Sequence, residues 1–549
     1  MTPRVWALDH DRVAVRVGGV DQPMRSSGDG WWIADQELEH GTDYAFVVEG
    51  NALPDPRSRW QPHGVHEASR VYDHDRFAWT DAGWSGTRLP GAVLYELHVG
   101  TFTAGRTFDA AIERLDHLVD LGVDLVEVLP VNSFDGPHGW GYDGVLWGAV
   151  QETYGGPDGF KRFVDACHAR GLGVVLDVVY NHLGPSGAYL DRFGPYFAGQ
   201  NDWGPALNLD GPGSDEVRRL VLDNARDWFV EFHVDALRLD AVHALVDQRA
   251  LTLLEELSER TAEWSVEVGR PLSLVAESDR NDPRTVAPRD ASGLGMDAQW
   301  CDDVHHALHV RLTGETDGYY ADFAAPDAVP RTLREAFFHA GTWSSFRERT
   351  HGRPVDLTTT PGHAFVVYLQ DHDQVGNRAT GDRLSATVPA DLLACGAAVV
   401  LLGPFTPMLF MGEEWGASTP WQFFASFPDE DLAEAVRSGR RREFGRHGWG
   451  ESEVPDPMDP ATLERSTLDW TELDRDDHRR LLELHRSLIA LRRAHPALRA
   501  PSLAPGDHAV EEVDGVLTMH RRGYRVEVNW TAATFRVVGP DGVTLLSSP

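Results

Sequence analysis

Two periodicities alternate along most of this chain. From about residue 90, short apolar runs that read as buried strands are separated by stretches whose apolar residues return every three to four positions, as on one face of a helix. The strand candidates are "AVLYELHV" from Ala92, "VDLVEVLPV" from Val123, "GVVLDVVYNH" from Gly173, "VDALRLDAV" from Val234, "LSLVAESD" from Leu272, "MDAQWCD" from Met296, "AFVVYLQDHD" from Ala364 and "PMLFMGEEW" from Pro407. Helical patterns lie between most of them, for example Phe108 to Leu121, Asp158 to Arg170 and Ser214 to Glu231. Strand and helix in this alternation predict an α/β fold, and eight such strands predict a (β/α)8 TIM barrel. Residues 1–88 follow a different rule: "RVAVRV", "GWWIAD" and "YAFVVEG" alternate in twos between Gly, Pro and Asp turns, the pattern of an N-terminal β-sandwich. A Pro-rich connector, "LPDPRSRWQPHG", follows its last strand-like segment. The barrel is expected over 89–495, and "GVLTMHRR" and "YRVEVNW" predict hairpin strands of a small C-terminal β domain over 496–549.

Composition narrows what such a fold can bind. With 549 residues, 42% hydrophobic and 10% aromatic, the chain suits a large globular core. The formal charge of −35 argues against nucleic acid or an anionic membrane as a partner, because both require basic surface. A neutral ligand fits better, and 18 Trp supply faces on which sugar rings stack, although most of them are expected in the core. Cys167, Cys301 and Cys395 are too few and too scattered for a disulfide framework or a metal cluster, and are expected to be buried thiols. "MTPRVWALDHDRVAVRV" has neither the basic nor the apolar region of a signal peptide, and no apolar run approaches the roughly 20 residues that span a bilayer. A cytoplasmic protein is expected.

The strand ends carry the chemistry. Asp177 to His182 closes the third strand candidate, Arg238 to His243 the fourth, Glu277 to Asp279 the fifth, and His372 with Asp373 the seventh. In a (β/α)8 barrel those ends meet at one face, so Asp240, Glu277 and Asp373 are expected in one pocket. Clustered carboxylates without clustered Cys or metal-spaced His suit retaining glycoside hydrolysis, which needs an ionised nucleophile and a protonated acid. Arg238, two residues before Asp240 and on the same side of its strand, is expected to keep Asp240 charged. Other acids around Glu277 are expected to raise its pKa and keep it protonated.

The segments "DVVYNH", "LRLDAVH", "AESD" and "HDQVGN" resemble, in order and separation, the four conserved regions of the α-amylase superfamily, glycoside hydrolase family 13. The resemblance covers about 90 to 480, and the N-terminal sandwich resembles the carbohydrate-binding-type module of branching and debranching members. It implies Asp240 as nucleophile, Glu277 as general acid/base and Asp373 as the third acid, which stabilises the oxocarbenium-like transition state. Arg238 corresponds to the family's arginine, His182 and His372 to histidines that bind sugar hydroxyls, and Tyr142 in "GWGYDG" to the aromatic that stacks on the sugar. Asp177 has an implied supporting role beside Arg238. His243 and Asn377 complete the candidate substrate-binding set. Asn181 corresponds to a calcium ligand in some amylases, but no calcium loop is evident, so neither a metal nor another cofactor is expected.

Further segments, "LPDPRSRWQPHGVH", "LYELHVGTFT", "NHLGPSGAYL", "AESDRNDPR" and "MDAQWCDDVHHALH", resemble the maltooligosyltrehalose trehalohydrolase branch of that superfamily. This implies cleavage of the α-1,4 bond next to the trehalose end of maltooligosyltrehalose and related α-glucans, after a maltooligosyltrehalose synthase has acted. Asp302, Asp303 and His306 become candidates to hold the trehalose end; a helix start with Asp capping is the plainer reading of "DDVHHALH". Asp371 departs from the branch, where Asn is expected, and could lift a neighbouring pKa or sit outward. Two rivals stay open: a glycogen branching enzyme, which transfers to a glucan instead of water, and a non-catalytic glucan-binding protein.

Overall fold

The computed structural model describes residues 1–445 and 454–548. All eight predicted strands form and close into a parallel barrel. They are β1 (Leu94–Leu97), β2 (Leu125–Val128), β3 (Gly173–Val178), β4 (Ala236–Leu239), β5 (Ser273–Ala276), β6 (Ala298–Trp300), β7 (Phe365–Val367) and β8 (Thr406–Phe410), with β8 pairing back to β1. These strands read as continuous apolar runs because both faces are covered, by helices outside and by one another inside. Leu94, Leu125, Val175, Ala236, Val275 and Ala298 form part of the packed barrel interior. That apolar plug fills the lower barrel, and the polar side chains gather towards the other end of the strands.

The helices wrap the barrel with two departures from the periodic pattern. Ser214–Val230 and Gly156–His168 form close to where they were expected. Phe108 to Leu121 instead splits into Phe108–Ile112 and Leu115–Leu121, with Arg114 between them. The Arg114 guanidinium lies 4.6 Å over the Trp470 ring, a tertiary contact that local periodicity does not contain. The second departure is two short antiparallel hairpins inserted in the barrel, Phe197–Asn201 with Gly204–Leu207 and Thr342–Ser344 with Arg349–His351, beside a third two-stranded antiparallel pair, Asn132–Ser133 with Leu146–Val150, joined by a longer loop.

Two β layers flank the barrel. The N-terminal one has a three-stranded and a five-stranded antiparallel sheet between Arg4 and Arg70, and the C-terminal one is a five-stranded antiparallel meander from His508 to Ser547. Ion pairs fasten the first to the barrel: Arg57 reaches Asp223 at 2.6 Å and Arg59 reaches Asp227 at 3.1 Å. Arginines fasten the second as well: the buried Arg521 donates to the Leu402 carbonyl at 3.0 Å, Arg334 to that of Val510 at 3.1 Å, and Arg311 pairs with Glu512 at 3.0 Å. The three cysteines are buried free thiols. No helix among the described residues is long and apolar enough to cross a membrane.

Candidate active site

The parallel register of β3 and β4 sets Asp177 directly beside Arg238, and the site grows from that pair. Arg238 is fully buried, and its Nη1 donates to Asp177 Oδ2 at 2.7 Å and to Asp240 Oδ1 at 2.8 Å. Its guanidinium also lies 4.3 Å over the Trp300 ring of β6. A cation so enclosed is stable only because carboxylates surround it. Asn181 fixes the other oxygen of Asp240, donating from Nδ2 to Oδ2 at 2.6 Å, and its own carbonyl oxygen meets His182 Nδ1.

Just past β4 the backbone turns sharply. Ala241 has φ +39°, a left-handed conformation that a non-glycine residue adopts only under constraint, and its N–H donates to Glu277 Oε2 at 2.5 Å. One strained residue thus links the backbone behind Asp240 to the Glu277 carboxyl at the end of β5. Arg238 Nη2 lies 3.8 Å from Glu277, too far for a direct hydrogen bond. Burial raises the Glu277 pKa well above the ordinary glutamate range; Arg238 opposes this, while Asp240, Asp373 and Asp302 add to it. Asp177 is likewise pushed up, to about 6, by burial against the pull of Arg238.

After β7, the short helix His372–Gly376 brings in the third acid. His372 stacks on Tyr142 with ring centroids 5.1 Å apart and carries Nε2 3.5 Å from Asp373 Oδ1. Its Nδ1 is 2.5 Å from Glu96 of β1. Burial disfavours the charge on His372, but Asp373, Glu96 and Asp371 outweigh it and lift its pKa to about 10. Two cations therefore anchor the acids, Arg238 against Asp177 and Asp240 and His372 beside Asp373. Side-chain exposure rises from 13% for Asp240 to 18% for Glu277 and 42% for Asp373, so all three can meet a ligand while Arg238 cannot.

The remaining expected residues divide. The Tyr142 hydroxyl donates to Asp177 at 2.6 Å, and Asn377 donates to Asp373 at 3.2 Å, so both belong to the pocket. His182 and His243 flank Trp203, which is 48% exposed on the first inserted hairpin, with centroids 6.0 Å from each. Asp302 accepts the Tyr368 hydroxyl and faces Asp373, which together with burial raises its pKa. Asp303 must be corrected: its Oδ2 accepts from Phe338 N at 2.7 Å, His339 N at 3.1 Å and Asn281 Nδ2 at 2.9 Å, so it organises a loop instead of facing a ligand. His306 packs among Tyr319, Tyr320 and Phe323, and burial lowers its pKa to about 3. Asp371 does not sit outward, for it is 1% exposed and caps the His372 helix through Gln374 N at 2.7 Å. Burial, with Glu96 nearby, raises its pKa well above the ordinary range.

Sequence reasoning missed Glu96 and Trp203. The signal for Glu96 was present, since an acid interrupts the apolar run "LYELHV" as Asp177 interrupts "VVLDVV". Trp203 lies in a loop without periodicity, and only its exposure beside two pocket histidines marks it. No group of three His, Cys, Asp or Glu among the described residues could hold a metal ion. Asn181, the one residue matching a calcium ligand, spends its amide on Asp240 and His182.

A family model for the alpha amylase catalytic domain matches residues 75–203. The malto-oligosyltrehalose trehalohydrolase of Arthrobacter ramosus is 57% identical over 532 residues, covering 95% of this chain and 92% of that protein. Its namesake from Rhizobium sp. (strain M-11) is 52% identical over 557 residues, covering 99% and 93%. A solved alpha-amylase-type structure from Salmonella typhimurium superimposes with a TM-score of 0.89 at 40% identity, over 97% of this chain and 91% of that one. A 1,4-alpha-glucan branching enzyme from Pseudoalteromonas atlantica is more distant, 27% identical over 74% of this chain.

Proposed function

Since the chain belongs to the malto-oligosyltrehalose trehalohydrolases of the alpha-amylase family, we propose that the carboxylates gathered around Arg238 carry out its reaction. The enzyme is a glycoside hydrolase that cleaves the α-1,4 bond joining trehalose to the rest of a maltooligosyltrehalose, releasing trehalose. The branching alternative has only the distant 27% relative behind it.

Asp240 is the nucleophile in this reading. Arg238 and Asn181 each hold one of its oxygens, which keeps the carboxylate oriented without removing its charge. Glu277 starts protonated, because burial disfavours its anion, and gives its proton to the leaving trehalose oxygen. Asp240 forms the covalent glycosyl intermediate, and Glu277, now a base, takes a proton from the water that resolves it. Asp373 faces the cationic transition state, while His372 and His182 donate to sugar hydroxyls. The observation that carries this is the asymmetry between neighbouring acids: one is tied to a buried guanidinium at 2.8 Å, the other stands 3.8 Å away with its pKa raised.

Trp203 supplies a stacking face for the glucan, and Tyr142 closes the pocket floor. Asp302 and His306 remain candidates for the trehalose side of the cleft, whereas Asp303 acts on loop structure. Family resemblance supports an enzyme of the cytoplasm working after a synthase that installs the trehalose end. We divide the chain functionally into 1–88, 89–495 and 496–549, a division supported by the change of sheet type near each boundary. Proton NMR of freshly hydrolysed maltooligosyltrehalose tests the mechanism: trehalose should appear together with the α-anomer of the shortened maltooligosaccharide. The β-anomer appearing first would mean inversion and would exclude a covalent Asp240 intermediate.

A further inference from the structure

Asp240 and Asp373 are held in different ways. Two short hydrogen bonds, from Arg238 at 2.8 Å and Asn181 at 2.6 Å, fix the carboxylate of Asp240. The contacts of the Asp373 carboxylate are looser, 3.2 Å to Asn377 Nδ2 and 3.5 Å to His372 Nε2, and its side chain is 42% exposed. Its place therefore depends on the backbone that carries it, the five-residue helix His372–Gly376. So short a helix is not stable by itself, and its last carbonyls have no intrahelical donors.

Both ends of that helix are clamped. Asp371 caps the first turn through Gln374 N. At the other end the partner comes from far along the chain: Arg440, on the helix Glu430–Gly445, donates from Nη2 to the Gly376 carbonyl at 2.7 Å and to that of Arg378 at 3.4 Å. A cation at a helix C-terminus offsets the partial negative charge there, and a charge-assisted hydrogen bond is stronger than a neutral one. The guanidinium is itself placed by two rings, 5.2 Å from Phe423 and 4.5 Å from Phe444. Phe423 meets Trp140 edge-on at 5.1 Å, and Gly376 lies so close to the same Trp140 ring that a Cβ there would collide with it. The helix of the third acid is thus seated on Trp140 and tied at its end by Arg440.

We propose, on the reading that Asp373 faces the cationic transition state, that Arg440 is a positioning residue for Asp373. The carbonyl it holds belongs to the same planar peptide as Asn377 N–H, which donates to Asp373 O at 2.9 Å. One rigid plane therefore links the guanidinium to the backbone of the acid. The sugar in the ground state is uncharged, whereas the transition state carries the charge that a fixed carboxylate opposes. Loosening the helix should accordingly cost turnover more than binding.

Steady-state kinetics of the intact protein on maltooligosyltrehalose test this, with deoxynojirimycin as a cationic mimic and maltose as a neutral ligand. R440M keeps the stem but removes the donors; kcat should fall by about tenfold to a hundredfold, as for displacement of a reacting group by about 1 Å, with KM nearly unchanged. Affinity for the iminosugar should fall with kcat, and that for maltose should not. R440K, which retains the charge without the fork, should be faster than R440M. D373N, the reference for a lost third acid, should be nearly inactive. Wild-type kcat in R440M beside an inactive D373N would overturn the role of Arg440 alone, and an active D373N would overturn the reading of Asp373 and that role with it. Parallel loss of maltose and iminosugar binding, or R440K no faster than R440M, would reduce Arg440 to a structural support and overturn the proposal. If R440M does not fold, R440Q makes the same comparisons.

Discussion

Asp240 and Glu277 are both carboxylates at the ends of adjacent strands, and their different surroundings decide what each can do. Asp240→Asn keeps the side chain's size but cannot attack an anomeric carbon, and its amide can accept from only one of the two donors, Arg238 and Asn181. Loss of turnover by at least about a thousandfold is expected in a protein that still folds, as circular dichroism checks; more than a few per cent of wild-type activity in fresh preparations would remove Asp240 from the role. Glu277 predicts a pH profile. Its folded pKa is raised by burial, so the proton needed for leaving-group departure is still present above the ordinary glutamate range. The value of kcat/KM should therefore fall on the alkaline side as pH rises through that raised pKa, and a decline centred near pH 4.5 would contradict it. Asp303 makes the opposite kind of prediction. Asp303→Ala orphans the N–H groups of Phe338 and His339, each buried donor costing about 1–3 kcal/mol, so it should lower the melting temperature without a specific effect on bond choice. Selective loss of activity on maltooligosyltrehalose, with stability intact, would restore Asp303 to the binding site. The strand-end acids could be read from sequence because a carboxylate in an apolar run is conspicuous. The inward turn of Asp303 could not, because its partners lie 35 and 36 residues away.

Among the helices, Gly156–His168 carries the single lysine of the chain, Lys161. It is fully buried, and its ammonium group lies 5.4–5.6 Å from the rings of Tyr72, Phe77, Trp79 and Phe232 while donating to His74 O at 3.2 Å. This cation fastens the segment after the N-terminal sheets to the barrel's outer helices. Burial lowers its pKa from 10.5 to about 8. The folded state therefore holds this proton more weakly than the unfolded chain, so between those two values the Lys161 contribution to stability rises with pH. With one lysine, 13C-lysine labelling gives one Cε signal; its titration midpoint should lie near 8, and a midpoint near 10.5 would show a solvated amine. Periodicity located the elements themselves, including every barrel strand, because strands covered on both faces are apolar except where they carry pocket residues such as Glu96, Asp177 and Arg238. It did not foresee the break at Arg114, which lies over a ring distant in sequence, or the inserted hairpins, whose strands of three to five residues are too short to show a clear two-residue alternation.

Across the whole molecule, the barrel supplies the chemistry and the two β layers are held to it by arginines that sequence patterning gives no reason to pair. Arg57 and Asp223 are 166 residues apart, and nothing local announces their contact. The barrel was legible because eight similar units repeat, while the docking of its neighbours depends on tertiary proximity alone. The same distinction applies to specificity. In the proposed reading, retaining hydrolysis follows from the acids around Arg238, whereas a preference for trehalose is set by the loops that complete the cleft. Hydrogen bonds available only to a trehalose end lower the barrier for that substrate alone, each by about 1–3 kcal/mol when its loss strands a buried polar group. The most direct measurement is therefore product chromatography on maltooligosyltrehalose beside a plain maltooligosaccharide of equal length. The account predicts trehalose as the main disaccharide product and much slower cleavage of the plain chain. Equal rates on both substrates, or branched products in place of trehalose, would contradict it.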